Sequence, residues 1–336
     1  MCGKLLITNG TAIANSESPM TAAGYSFPHK HLLGIAPLSG PDVTAILDQA
    51  RAFEDVCENT EIKAISALSK IIVVNLFFEN STRTRNSFEI AEKRLGAEAV
   101  NFDAGSSSIS KGETLLDTAA NIQAMRPDLI VMRHSAPGAH ALLARHIEAS
   151  IVNAGDGAHE HPTQALLDAY TLRERFGALD GLNVAIVGDI RNSRVVRSNL
   201  WLLTKMGANV TLVGPPTLLP PEIAETWPGV KLSNDFDEII PGMDAIMMLR
   251  CQFERGTGQY IPGQGEYVKY YQLNAARMKM AKKDVAVLHP GPINRGVEIT
   301  SEAADGPNSL ILRQVANGVP VRMSVLYLLA GEKHIA

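Results

Sequence analysis

Residues Lys70-Ile-Ile-Val-Val-Asn-Leu-Phe-Phe78 run directly into Glu79-Asn-Ser-Thr-Arg-Thr-Arg85, and an amphipathic stretch, Ser87–Leu95, follows. From Ile71 to Phe78 only Asn75 interrupts the apolar side chains, which reads as a strand buried on both faces. The run is far too short to span a bilayer. Strand, polar turn and helix together make the first half of a parallel βα repeat.

The same alternation continues along the chain. Strands are predicted at Glu98–Phe102, Leu129–Arg133 and Ile151–Ala154, with helices at Glu113–Met125, Gly138–Ile147 and Thr163–Phe176. A second series has strands at Asn183–Gly188, Asn209–Gly214, Ala245–Leu249 and Val285–Leu288. Its helices are Val195–Met206, a Pro-marked segment after Pro220, and Glu266–Met280. The expected fold class is α/β, with two doubly wound parallel-sheet domains joined by helices and the active site in the interdomain cleft. Residues 1–30 are expected to form an N-terminal extension, 31–163 the first domain and 164–315 the second. Residues 316–336 carry an apolar helix, Val319–Leu329, expected to pack back on the first domain.

Composition narrows the function. A chain of 336 residues accommodates two such domains, and 46% hydrophobic with 20% charged residues excludes disorder. Thirty-one basic against thirty-five acidic residues leave no basic field for nucleic acid. Residues 1–28 lack the basic-then-apolar order of a signal peptide. Neither nucleic acid nor membrane is expected as a partner. Three cysteines without CxxC spacing point to the reducing cytoplasm. The nine histidines form no HExxH pair, and the side chains of His159, Glu160 and His161 diverge, so no metal is expected.

In open α/β sheets, ligands bind beyond the carboxyl ends of the strands. There, Ser81, Thr82, Arg83 and Thr84 stand near a helix start, whose free N–H groups and dipole favour an anion. A lone Ser-Thr-Arg reads more readily as a helix cap at Ser81 with solvated arginines. Five successive hydroxyl and guanidinium residues favour phosphate, although GxxxxGK[ST] is absent and this is no P-loop. Arg133 ends another strand, and His161 precedes Pro162 at a helix start. In the second domain Arg194, Arg250 with Gln252, and His289-Pro-Gly-Pro292 follow strands. Cationic and amide groups from both domains suit a substrate pair bearing several negative charges.

Phe78-Glu-Asn-Ser-Thr-Arg-Thr-Arg85 resembles the carbamoyl-phosphate signature of the transcarbamoylase family, and His161-Pro-Thr-Gln164 resembles its second signature. Arg250-Cys-Gln-Phe-Glu-Arg255 and Leu288-His-Pro-Gly-Pro-Ile-Asn-Arg295 are similar to the aspartate-using branch. The SMG and HCLP elements of ornithine-using members are absent. The resemblance spans residues 31–333 and implies transfer of a carbamoyl group from carbamoyl phosphate to L-aspartate, the committed step of de novo pyrimidine synthesis. It makes residues 31–163 the carbamoyl-phosphate domain and 164–315 the aspartate domain, with no cofactor.

The resemblance also implies roles. Ser81, Thr82, Arg83 and Thr84 would hold the phosphate together with Ser107, for which Ser106 and Ser108 are alternatives. Thr84, Arg133 and His161 would donate to the carbamoyl oxygen. Gln164 and the backbone at Gly291 and Pro292 would take the carbamoyl NH₂; Gly291 stands where some members carry Leu. Arg194, Arg250 and Gln252 would hold L-aspartate, and Lys111 would reach both ligands from a neighbouring subunit. That makes a homotrimer with sites shared between subunits, and leaves room for a regulatory-chain or dihydroorotase-type partner. Glu79, beside the phosphate loop, needs a cation, and Arg194 or Arg255 is its expected partner. Three alternatives are an ornithine carbamoyltransferase, a dinucleotide oxidoreductase on Val184–Arg194, which lacks GxGxxG, and a non-catalytic assembly subunit of the same fold.

Overall fold

The computed structural model describes residues 25–59, 61, 64–79, 81–103, 113–251, 260 and 263–331. Within them the first sheet holds β1 (Ile72–Phe77), β2 (Glu98–Asp103), β3 (Leu129–His134) and β4 (Ser150–Asp156), in the order β2-β1-β3-β4. The second holds β5 (Asn183–Val187), β6 (Asn209–Val213), β7 (Lys231–Ser233), β8 (Ala245–Met248) and β9 (Ala286–Leu288), in the order β7-β6-β5-β8-β9. All the pairings are parallel. This is the α/β class expected from the sequence. Each sheet reverses its winding once, between β1 and β3 in the first and between β5 and β8 in the second, and such switch points open a crevice for ligands.

The sequence explains these elements locally. β1 is buried at five of its six positions, as an unbroken apolar run requires. The helix after it spans Thr82–Leu95, so it starts at Thr82 and not at the predicted Ser87. The polar first turn has no apolar periodicity to reveal it. That helix stops at Gly96, whose φ of +76° suits glycine and whose Cβ, if present, would lie 2.7 Å from the Ile65 carbonyl.

Other boundaries differ from expectation. The predicted helix Glu266–Met280 is two helices, Gln264–Tyr271 and Ala275–Met280. Leu273 bridges to Ile299 between them, and Asn274 Oδ1 caps the second by accepting from the N–H groups of Ala276 and Arg277. The last helix begins at Ile311 and reaches Ala330 with Pro320 inside it. Neither β7 nor the helix Gly40–Ala52 was anticipated; the latter opens with a Ser39–Asp42 capping box.

A single hydrophobic cluster joins the two halves. It draws on Val73 and Val131 of the first sheet, Val184 and Leu212 of the second, and Leu166, Leu200 and Leu326 of the connecting helices. Ser324 Oγ in the last helix donates to the Ile46 carbonyl at 2.7 Å, and Arg322 Nη1 donates to Ser87 Oγ at 3.0 Å, tying that helix to the first half. No helix among the described residues is long and apolar enough to cross a membrane.

Candidate active site

The segment after β1 and the end of β3 at one switch point, and the segments after β5 and β8 at the other, line one cleft of about 480 Å³. Every predicted site residue that the structure describes lines it: Ser81, Thr82, Arg83, Thr84, Arg133, His161, Gln164, Arg194, Arg250, Gly291 and Pro292. Ser107, Lys111 and Gln252 lie outside the described residues.

Ser81 occupies the cap position of the helix Thr82–Leu95, yet its side chain caps nothing. Its Oγ accepts from Arg133 Nη1 at 3.0 Å, so the plain-cap reading fails. The first-turn N–H groups are left without a side-chain cap, an arrangement that suits an anion. Arg83 in that turn lies against the backbone of Gly291, where φ is +70° and a Cβ would stand 3.1 Å from Arg83 Cζ. Burial and the nearby Arg250 hold the Arg83 guanidinium below its usual range.

His161 precedes the helix Pro162–Phe176, and its backbone N–H is taken by Ser198 Oγ at 2.8 Å. The ring does not cap the helix. Burial, and then Arg194, Arg133 and Arg322, push the imidazole well below its ordinary pKa. It is therefore neutral at physiological pH, with one N–H to donate. Its Nδ1 is buried and has no partner among the described residues. The neighbouring side chains turn elsewhere: His159 Nδ1 meets Asp156 Oδ2, and Glu160 Oε2 accepts from Ile35 N–H and Ser198 Oγ. No group of three or more His, Cys, Asp or Glu among the described residues could hold a metal ion.

Two arginines converge on Glu79. Its Oε2 accepts from Arg133 Nε at 3.3 Å and from Arg194 Nη1 at 3.1 Å, so one carboxylate is shared between the two halves. Arg194 Nη1 also donates to the Gly157 carbonyl, and its guanidinium packs on Gly155, where a Cβ would stand 3.1 Å from Cζ. Arg255, the other expected partner of Glu79, lies outside the described residues.

The description "aspartate/ornithine carbamoyltransferase, carbamoyl-P binding domain" fits residues 30–174, and its Asp/Orn binding domain counterpart fits residues 180–329. The chain belongs to the aspartate/ornithine carbamoyltransferase family. It is 54% identical over 306 residues to the aspartate carbamoyltransferase catalytic subunit of Syntrophotalea carbinolica, covering 91% of this chain and 97% of that one. To the corresponding subunit of Agrobacterium fabrum it is 54% identical over 300 residues, 89% of this chain and 95% of that one. The crystal structure of Trypanosoma cruzi aspartate transcarbamoylase in complex with carbamoyl phosphate and aspartate superposes with a TM-score of 0.82. Identity to it is 31%, over 93% of this chain and 99% of that one.

This carbamoyltransferase cleft also holds residues that sequence reading passed over. Arg322 lies in the last helix, fully buried, with Nη1 donating to Ser87 Oγ and to the Gly318 carbonyl and its guanidinium 5.1 Å above the Phe88 ring. Burial lowers its pKa to about 10. Gln314, from the same helix, lines the cleft as well. A lone arginine within an apolar helical run was the available signal, since such a charge must be buried for a reason. With Arg322, five arginines and no carboxylate line the cleft among the described residues.

Proposed function

We propose that the chain transfers the carbamoyl group of carbamoyl phosphate to the α-amine of L-aspartate, giving N-carbamoyl-L-aspartate and phosphate, the committed step of pyrimidine synthesis. The observation that carries this is the cleft itself, where arginines from both halves converge with no carboxylate among the described lining residues. Carbamoyl phosphate and aspartate together bring a phosphate and two carboxylates, and guanidinium groups bind both kinds of anion through paired hydrogen bonds. Ornithine would instead set a cationic side chain against Arg194 and Arg250.

In this reading the amine nitrogen attacks the carbamoyl carbon, negative charge gathers on the carbamoyl oxygen, and the carbon–oxygen bond to phosphate breaks. The amine proton leaves with the phosphate. Ser81, Thr82, Arg83 and Thr84 hold the phosphate; Thr84, Arg133 and neutral His161 donate to the developing oxyanion. Gln164 and the backbone at Gly291 and Pro292 take the carbamoyl NH₂, while Arg194, Arg250 and Gln252 hold the aspartate carboxylates. Positioning and electrostatic stabilisation carry such a reaction without a covalent intermediate.

We further infer, on the sequence resemblance, a cytoplasmic homotrimer in which Ser107 and Lys111 complete a neighbour's site, with residues 31–163 serving carbamoyl phosphate and 164–315 serving aspartate. On the same resemblance we infer that a regulatory-chain or dihydroorotase-type partner can associate with it. The deciding assay offers the purified chain carbamoyl phosphate with aspartate or with ornithine. Carbamoylation of aspartate alone is expected; carbamoylation of ornithine, or of neither, refutes the proposal. Mixing Arg133→Ala with Lys111→Ala chains, each inactive alone, tests the shared site, since random mixing should restore about a quarter of the parental sites.

A further inference from the structure

Asp168 lies in the second turn of the helix Pro162–Phe176 and is completely buried. Three side-chain amides converge on it. Oδ1 accepts from Gln164 Nε2 at 2.8 Å and from Gln314 Nε2 at 2.7 Å, while Oδ2 accepts from Asn199 Nδ2 at 2.9 Å. An ionised carboxylate only accepts hydrogen bonds, so each amide must turn its NH₂ toward Asp168 and its carbonyl oxygen away. For Gln164 this leaves Oε1 as the group offered to the cleft, and no donor among the described residues reaches it. For Gln314 the outward Oε1 accepts the His289 N–H at 2.8 Å. His289 opens the turn that carries Gly291 and Pro292 to the cleft.

The two ends of a glutamine amide are nearly the same size, so only its neighbours decide which end faces a ligand. We propose that Asp168 is a positioning residue that sets the polarity of the pocket for the carbamoyl NH₂, directly through Gln164 and through Gln314 for the turn at Pro292. The inference rests on the carbamoyl-phosphate reading above. Asp168 does not touch the substrate; it makes both acceptors of that NH₂ depend on one buried charge. Burial raises its carboxyl to about 6, opposed by the three amides and by Arg322, so it is ionised at neutral pH and acts as an acceptor there. Were Gln164 to turn over, its NH₂ would confront the carbamoyl NH₂, donor against donor, and the pocket would lose its preference for that group.

The test uses the full chain and two acyl phosphates. Acetyl phosphate keeps the phosphate and carbonyl of carbamoyl phosphate but has CH₃ in place of NH₂. In Asp168→Leu, which keeps the approximate volume and removes both acceptor oxygens, neither glutamine is held with its NH₂ inward, so carbamoyl phosphate affinity should fall roughly tenfold or more, while acetyl phosphate affinity stays within about twofold. A general loosening of the site would weaken both ligands alike. Gln314→Met, which leaves Asp168 and Gln164 in place, should show the same selective loss to a smaller degree and serves if Asp168→Leu does not fold. Equal losses for the two ligands, or no loss for carbamoyl phosphate, overturn the proposal. A parent chain that does not bind carbamoyl phosphate at all overturns the proposed function, and this inference with it; a parent that binds it and variants without selectivity overturn this inference alone.

Discussion

Glu79 Oε2 sits 3.1 Å from Arg194 Nη1, and this contact carries a charge from the phosphate side of the cleft to its opposite wall. Arg133 holds the same oxygen at 3.3 Å. Removing the carboxylate in Glu79→Ala leaves both arginines without their shared counter-charge. The expected loss is about 2 kcal/mol in kcat/KM for aspartate, roughly thirtyfold, because Arg194 is no longer held across the cleft. Steady-state kinetics with aspartate varied at saturating carbamoyl phosphate measure this; an unaltered aspartate dependence would remove the contact from any role in the use of aspartate.

Arg250 follows β8 and lines the cleft on the second-half side. Arg250→Ala should cost about 3 kcal/mol in kcat/KM for aspartate, more than a hundredfold, since a paired charge-assisted contact is lost. Direct titration with carbamoyl phosphate should change much less. Comparable losses for the two substrates would contradict the assignment of this wall to aspartate.

His161 stays neutral well below its ordinary range, for burial and three arginines oppose its cationic form. Its protonation should therefore contribute no step to the rate profile between pH 6 and 8. Nitrogen NMR of labelled histidine should find the His161 ring uncharged throughout that interval. Replacement by alanine should lower kcat roughly a hundredfold through the lost oxyanion donor. A His161 ring that takes up its proton near pH 6.5 contradicts the environment described.

Glu92 packs against β1, where Asn75 Nδ2 donates to its Oε2 at 2.9 Å while Glu92 Oε1 and Asn75 Oδ1 are buried with no partner among the described residues. Burial raises this carboxyl from 4.5 to about 7. The folded chain thus keeps the proton at pH values where the unfolded chain has lost it. The resulting stabilisation is complete below about pH 4.5 and is lost as pH rises through 7, a swing on the order of 3 kcal/mol. Glu92→Gln removes the ionisation and supplies a donor for Asn75 Oδ1. The variant should be about 2 kcal/mol more stable than the parent at pH 8, a few degrees in Tm, with the advantage shrinking toward pH 5. Calorimetry at the two pH values decides it, and a gain independent of pH would assign the effect to the amide pair alone.

Much of this was legible in the chain itself. Parallel strands such as β1 and β5 are buried on both faces, so their apolar runs stand out without any alternation to decode. Arg83, Arg133, Arg194 and Arg250 were readable because each stands at or beyond the carboxyl end of a strand, and winding reversals bring such positions together. The helix break at Asn274 was not, because Leu273 leaves the helical path for a bridge to Ile299, a partner distant in sequence. Asp168, Gln314 and Arg322 escaped for a related reason: one-dimensional periodicity marks their positions as core, and their purpose depends on groups that only folding brings near.

The hydrophobic cluster shared by both sheets has a consequence for how heat takes the molecule apart. Leu166, Leu200 and Leu326 cannot be exposed to water on one side while the other side stays dry, so neither sheet has an independent melting event available to it. Cooperativity extends across the cleft, and a scanning calorimeter should record one endotherm with van't Hoff and calorimetric enthalpies in agreement. Cutting the chain between Gly177 and Gly181 would then not liberate two stable halves. Each would carry a raw apolar face, and the pieces would have to find one another again before either could hold its shape.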